Sequence, residues 1–469
     1  MARILPHVPI AILVGAYAIR FSLLSVSVYD GYGTPAYDMS IPDQAIWLLS
    51  RFHAPFSTVM GRDVFGDHTS FIFGLLVPLF WVYPHTAALL VVQAMLVAAA
   101  AIPIYLYARH RVGSTVLATL LAAGYLLNPA LQNGNLEQMH VECFEVLFIS
   151  LALFGALERR GWVLAVATVG LVLCKEDVGL VVAPLALWVL WRRNRKWGLE
   201  LLFVAAAWSV AASAIIYAFV GETNVHTGRI PFGGLTGTLR TIVSRPKQFF
   251  DYVRSGGRPW YVWQMVFSAG LVFLWAPEVA AIGIFTLTVN VVSSYPYDHQ
   301  ILYHYSMPLV PILTVGTVFA VGAMKTVRAR RIATVAVTVC SLWACLLWGL
   351  APFSEHTYAH WSPSSPQVHD IDIVLKALPP NAVVSAYYPY VAHIDHRTRI
   401  YMWPNPFRAE YWDTFKQEGQ RLPFADQIQY LVLPTDLTGS DGQVFASIAS
   451  QFKIIALAGD VAVYHKLGP

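Results

Sequence analysis

Long apolar runs broken by short polar or basic stretches set the rhythm of the chain. They lie at 8–28, 86–108, 114–128, 142–157, 161–174, 178–191, 199–220, 263–276, 279–294, 307–323 and 332–350. Each predicts a helix. Several are shorter than the roughly 20 residues that cross a bilayer, and these are expected to extend into polar neighbours or to sit in locally thin membrane. One more apolar piece, "FIFGLLVPLFWVY" (71–83), runs straight into Pro84 and His85. From "SPSSPQ" (362–367) onward the pattern changes. "DIDIVLKALPP" predicts a helix ended by prolines, "AVVSAYY" and "IQYLVLP" predict strands, and "GQVFASIASQF" predicts a helix. "KIIALAGDVAVYHK" reads as a hairpin turning at Gly459-Asp460. The chain therefore divides into a helical membrane part, 1–350, and a C-terminal α/β domain, 351–469.

Charge decides which runs cross. Basic clusters occur at Arg109/Arg111, Arg159/Arg160, "RRNRK" (192–196) and "KTVRARR" (325–331). If 71–83 does not cross and the other runs do, all of these clusters fall on the cytoplasmic side, as the positive-inside rule requires. The pattern thus predicts a polytopic α-helical membrane protein of about eleven transmembrane helices. Its N-terminus is cytoplasmic and its C-terminal domain extracytoplasmic. The first outer loop, 29–85, then carries juxtamembrane or re-entrant helices. Nearly all chemically capable side chains lie on the outer face, so any active site opens there.

Composition supports this class. The chain is 57% hydrophobic and 12% charged, half the charge of an ordinary globular protein. A net charge of +4, sorted to one side, gives no reason to expect nucleic acid as a partner. Cys143, Cys174, Cys340 and Cys345 all stand in apolar runs, which excludes a disulfide framework and offers no metal-ligand spacing. The N-terminal apolar run has no small-residue cleavage site and reads as an uncleaved signal-anchor.

The candidate chemistry begins with "AYDMSIPDQAIWLL" (36–49). Ser40-x-x-Asp43 is a capping box, with Pro42 suited to a first helical turn, and this accounts for Asp43. Asp38 precedes the cap. It is either a solvated loop acid or a carboxylate held at the membrane edge toward a lipid-bound substrate. In "GDHTSF" (66–71), Asp67 could cap a helix over 68–83, or Asp67 and His68 could contact a metal or a phosphate. Glu137, His140 and Glu142 are either polar caps or part of a metal site. Glu137 and His140 could share a helical face, whereas His140 and Glu142 could not, and the spacing is not that of HExxH.

Lys175, Glu176 and Asp177 form a tight outer turn in which Lys175 could neutralise a phosphate. Arg229, Arg240, Arg245, Lys247, Arg254 and Arg258 place positive charge in the outer segment 221–262. Long loops escape the sorting rule; alternatively, arginine forks there grip an anionic lipid headgroup. In 295–311, an aromatic belt explains the tyrosines, and Asp298, His299, His304 and Tyr305 remain candidate substrate contacts.

The layout resembles the GT-C superfamily of integral membrane glycosyltransferases: a first span, a long outer loop with an aspartate, a many-helix bundle and an external C-terminal domain. Within it, the chain resembles the DUF2079 family of bacterial membrane proteins. Four stretches carry the match: "YDMSIPDQAIWLLSRFHAPFSTVMGRDVFGDHTSFIFGLLVPLFWVYPHTAALLVVQA", "CKEDVG", "HYSMPLVPIL" and "LPPNAVVSAYYPYVAHIDHRTRIYMWP". The resemblance implies inverting transfer of a sugar from a polyprenyl-phosphate donor to a glycan or lipid acceptor of the cell envelope, at the bacterial inner membrane. It implies Asp38 as general base, with Lys175, Arg229 and Arg258 toward the donor phosphate. The acids Asp38 and Asp43 are five apart rather than an Asp-x-Asp pair, so a divalent cation remains open. The competing class is a transporter or lipid flippase without catalytic chemistry. It would show internal repeats with broken spans in matching halves, and no such halves are visible.

Overall fold

The computed structural model describes residues 5–221, 226–411 and 417–468. Apolar helices pack side by side, and most restart at a capped break. The side chains of Ser114, Asn128, Asn194 and Thr326 accept from the N–H groups of Leu117, Ala130, Trp197 and Ala329, satisfying donors that a helix start leaves open. Close approach needs small residues. A Cβ on Gly155 would meet the backbone nitrogen of Leu164 at 2.6 Å, and one on Gly198 would meet the Leu190 backbone at 2.5 Å. These glycines let consecutive antiparallel helices touch.

Among the described residues, five helices are long and apolar enough to cross a membrane: Leu5–Asp30, Thr86–Val112, Arg195–Val220, His304–Ala323 and Val327–Trp348. A sixth span results if the pair Thr115–Leu126 and Pro129–Leu136, bent by 47°, is counted as one. Phe71–Val82, Gly161–Cys174 and Ala280–Val292 are apolar but shorter. Helix length alone therefore supports fewer spans than the charge pattern.

Segment 129–141 is mostly the buried helix Pro129–Leu136, started by Asn128 and Pro129. One expectation is corrected. The span expected at 263–276 is broken. Helix Arg258–Ser268 ends where Gly270 and Leu271 adopt positive φ (77° and 59°), and only a short 3₁₀ turn, Val272–Trp275, follows.

The basic clusters gather at one end. Helix Glu142–Leu157 runs from the acidic centre described below to Arg159, and Gly161–Cys174 returns from there to Lys175. Gly179–Arg192 runs back again, bringing Arg193 toward Arg159 and Arg111.

At the other end lies the C-terminal α/β region. After the short antiparallel pair β1 Phe56–Ser57 and β2 Arg62–Asp63 in the first outer loop, the strands here are β3 Val384–Ala386, β4 Ile400–Met402, β5 Tyr430–Pro434, β6 Phe452–Ala458 and β7 Val461–Lys466, in the sheet order β4-β3-β5-β7-β6. β3 is parallel to both β4 and β5, whereas β5–β7 and β7–β6 are antiparallel. The hairpin turns at Gly459 (φ 50°), as the sequence predicts. One face of the sheet packs helix Pro366–Leu375 through Val368, Ile371 and Val374, and its core takes in Tyr32, Ala36 and Val59 of the segment after the first helix. The sheet is thereby seated on the loop that carries Asp38.

Candidate functional site

Two cavities meet at the end of the bundle beneath this sheet. The first, of about 500 Å³, is lined by Asp38, Arg62, Asp67, Glu137, His140 and a set of tyrosines: Tyr37, Tyr295, Tyr297, Tyr303 and Tyr388. The second, of about 820 Å³, joins apolar residues of helices Gly179–Arg192, Leu235–Ser244 and Ile284–Val292 to the acidic Glu145, Glu176, Asp177 and Asp298. His68, Glu142, Lys175, His226, Arg229 and Tyr305 line both. They form the wall between them.

Asp38 sits on a single π-type turn, Ala36–Ser40, behind Pro35. Burial, and then the charge of Glu137, push its carboxyl up to about 8. Burial also lifts Glu137 to about 8. Asp43 plays a different part from the one expected. Ser40 has helical backbone angles and makes no side-chain cap bond, so the capping box does not form: the preceding π-type turn already continues into helix Ile41–Ser50. Asp43 is instead fully buried, accepting from Thr86 Oγ1 at 2.5 Å and bonding His396 Nε2 at 2.9 Å. It fastens the loop to a membrane helix and to the C-terminal region.

Asp67 is likewise no cap for the following apolar helix. It ends the short helix Val64–Asp67, which Asp63 caps through the N–H of Phe65, and helix residues resume only at Phe71. Its Oδ1 lies 2.9 Å from Arg62 Nη2 and 3.8 Å from His226 Nε2. His68 Nδ1 lies 2.7 Å from Glu176 Oε1. Burial lowers His68, but the charge and hydrogen bond of Glu176 together with Asp67 outweigh it, and the imidazole is raised above its usual value.

Lys175 is buried and donates to Glu142 Oε1 at 3.0 Å. Burial disfavours its charge, yet Glu142, Asp177 and Glu176 hold its ammonium well above the usual lysine range. His304 Nδ1 lies 3.0 Å from Glu137 Oε2, and its ring stands 3.7 Å from that of His140. Burial, and then His304, lower His140 to about 3, so its imidazole is neutral. Arg229 lies over Tyr295 at 4.3 Å and over Tyr305 at 5.6 Å, with Asp298 Oδ1 3.8 Å away.

Asp38, Asp67, His68, His140, Glu142, Lys175, Arg229, His304 and Tyr305 thus converge, and Asp298 lines the second cavity. Arg258 and His299 line neither. The Arg258 donors are taken by the carbonyls of Val291, Ser255 and Ser293 and by the hydroxyl of Tyr252, so its fork holds backbone in place. His226, Arg62 and Tyr388 join the site without having been singled out for it, and Glu137, weighed as a cap or part of a metal site, lines it as well. Tyr388 comes from the C-terminal region, and no local spacing announces it. Two groups in the cavity have metal-compatible geometry, Asp67/His68/His226 and Glu137/His140/His304.

Fold and site together define a polytopic helical membrane protein with a buried ionic centre between a polar cavity and an apolar one. A family model described as a predicted membrane protein, DUF2079, matches residues 33–436, and the chain belongs to that family. ArnT from Cupriavidus metallidurans bound to undecaprenyl phosphate is similar in structure (TM-score 0.59, 13% identity), over 98% of this chain and 99% of that one. Apo ArnT aligns over the same shares with a TM-score of 0.54 and 13% identity. No curated protein matches the chain. At that identity the likeness speaks for the fold, which is GT-C-like, as the sequence resemblance implied.

Proposed function

We propose that this protein is a membrane glycosyltransferase that takes a sugar from a polyprenyl-phosphate donor and passes it, with inversion, to a glycan or lipid acceptor on the extracytoplasmic face. One observation carries the reading. An apolar cavity and a polar cavity holding Asp38 share a wall containing Lys175 and Arg229. An isoprenoid tail fits the first, the acceptor fits the second, and the phosphate between them fits the cationic wall. ArnT, of similar fold, binds undecaprenyl phosphate, which supports a lipid phosphate as the carrier. The basic clusters at the far end support an extracytoplasmic site, and the C-terminal sheet supports the division of the chain into 1–350 and 351–469.

In the reaction, the acceptor hydroxyl oxygen bonds to the anomeric carbon as the bond from that carbon to phosphate oxygen breaks. Asp38 takes the hydroxyl proton. The electron pair leaves with the phosphate, a stable anion that needs no general acid, and Lys175 and Arg229 stabilise its charge. A positioned base contributes about 10²–10⁴-fold, so Asp38→Asn is expected to lose transfer by that factor at equal expression. The assay is incorporation of radiolabelled sugar from a panel of polyprenyl-phosphate sugars into membranes. Equal incorporation by wild type and variant would remove Asp38 from the mechanism. No incorporation from any donor, together with movement of labelled lipid across the membrane, would favour a flippase.

A further inference from the structure

Glu137, His140 and His304 line the cavity that contains Asp38. The first two stand on the connection between helices Pro129–Leu136 and Glu142–Leu157, where Gln138 at φ 74° reverses the chain. Gln93 fixes this connection. Its Oε1 accepts from the N–H of His140 at 2.9 Å, and its Nε2 donates to Asn135 O at 2.8 Å and to Gln138 O. His304 opens the turn before helix Leu309–Ala323, and its own N–H also donates to Glu137 Oε2 at 2.5 Å. One ligand atom from each of the three residues lies within 4.8 Å of the others.

Two features separate this group from an ordinary hydrogen-bond network. Among the described residues, His140 Nε2 is shielded and has no hydrogen-bond partner. Glu137 has no lysine or arginine partner among the described residues, where its ion pair is with His304. The 3.0 Å between His304 Nδ1 and Glu137 Oε2 is a hydrogen-bond distance, and a small separation brings it to the roughly 3.3 Å between neighbouring ligands around a tetrahedral ion with bonds of about 2.0–2.1 Å. The rival group is less suited, because the guanidinium of Arg62 already answers Asp67 at 2.9 Å.

We propose that Glu137, His140 and His304 bind a divalent cation of the zinc class, with its remaining coordination position open to the cavity that holds Asp38. Two imidazole nitrogens and one carboxylate oxygen make a donor set of catalytic zinc type, in which the open position takes a substrate or water oxygen. Under the glycosyltransferase reading, on which this role rests, that oxygen is the acceptor hydroxyl whose proton passes to Asp38.

The test uses the full chain purified in detergent, stripped with a chelator and re-equilibrated with zinc alone. Metal per chain is counted by mass spectrometry after gel filtration. One equivalent is expected in wild type and in His226→Ala. His140→Gln and Glu137→Gln are expected to weaken binding by more than about 10²-fold, beyond what losing an outer-shell partner costs. Wild type loaded with cobalt should show the intense visible absorption of a tetrahedral site, a readout that needs no variant to fold. The proposal is overturned by an empty wild type, by six-coordinate cobalt, or by zinc that survives both ligand substitutions. Loss of zinc in His226→Ala with retention in His140→Gln overturns it too, moving the ion to Asp67. Metal content is read without turnover, so a failed transfer assay bears only on the proposed function.

Discussion

Asp38 and Glu137 face one cavity, and neither has a lysine or arginine partner among the described residues. Burial and the neighbouring carboxylate raise Asp38 from the usual range near 4 to about 8. A general base acts only when ionised, and a carboxyl raised in this way keeps its proton below that value. In chelator-treated protein, kcat/KM for transfer is therefore expected to rise with pH through about 8 and to level off above it. A profile already flat from about pH 6 upward would mean that some other group takes the proton. At this scale the sequence was informative where ionisable side chains flank apolar runs, because such residues are rare and cannot hide: Asp38, Lys175 and His304 were all found this way. It was uninformative about partners. Arg229 and Arg258 look alike in a basic loop, yet one faces the cavity and the other spends its fork on backbone carbonyls. Charge counting cannot tell a guanidinium that lines a cavity from one spent on backbone carbonyls.

The segment between the first helix and the bundle is held by a compact polar joint. Gln44, on helix Ile41–Ser50, donates to Thr58 Oγ1 and to the carbonyl of Arg397, each at 3.1 Å. Its Oε1 accepts from Ser57 Oγ and from the N–H of Thr58. Thr58 Oγ1 in turn accepts from the N–H of Ile400, at the start of β4, and donates to its carbonyl. Since buried polar groups left unpaired cost about 1–3 kcal/mol each, Gln44→Leu is expected to release this joint. Hydrogen exchange should then accelerate in 56–63 and 397–402 while helix Thr86–Val112 keeps its protection; unchanged exchange in both segments would show that apolar packing alone seats the sheet. Elements whose signals are local, such as the hairpin at Gly459, were legible in advance. β4 was not: it has three residues, too few to show alternation, and is specified by parallel pairing with β3. The run at 263–276 misled for the opposite reason. Its composition is that of a span, but left-handed backbone at Gly270 and Leu271 ends the helix, and hydropathy does not register dihedral angles.

Over the whole molecule, the apolar and polar cavities are separable in function although joined in space. Ser209 lines the apolar cavity on helix Arg195–Val220, from a position exposed enough to accept bulk without disturbing the core. Ser209→Trp is expected to raise KM for the lipid-linked donor severalfold and leave KM for the acceptor unchanged, measured with detergent-solubilised protein and varied donor concentration. An equal rise in both would place the lipid elsewhere. The shared wall has a consequence for traffic. On the glycosyltransferase reading, with apolar helices along one chamber and the sheet above the other, the spent carrier would withdraw sideways into the bilayer while the elongated product departs into water. Neither leaving molecule has to clear the other's doorway, and a fresh carrier can load before the glycan has gone.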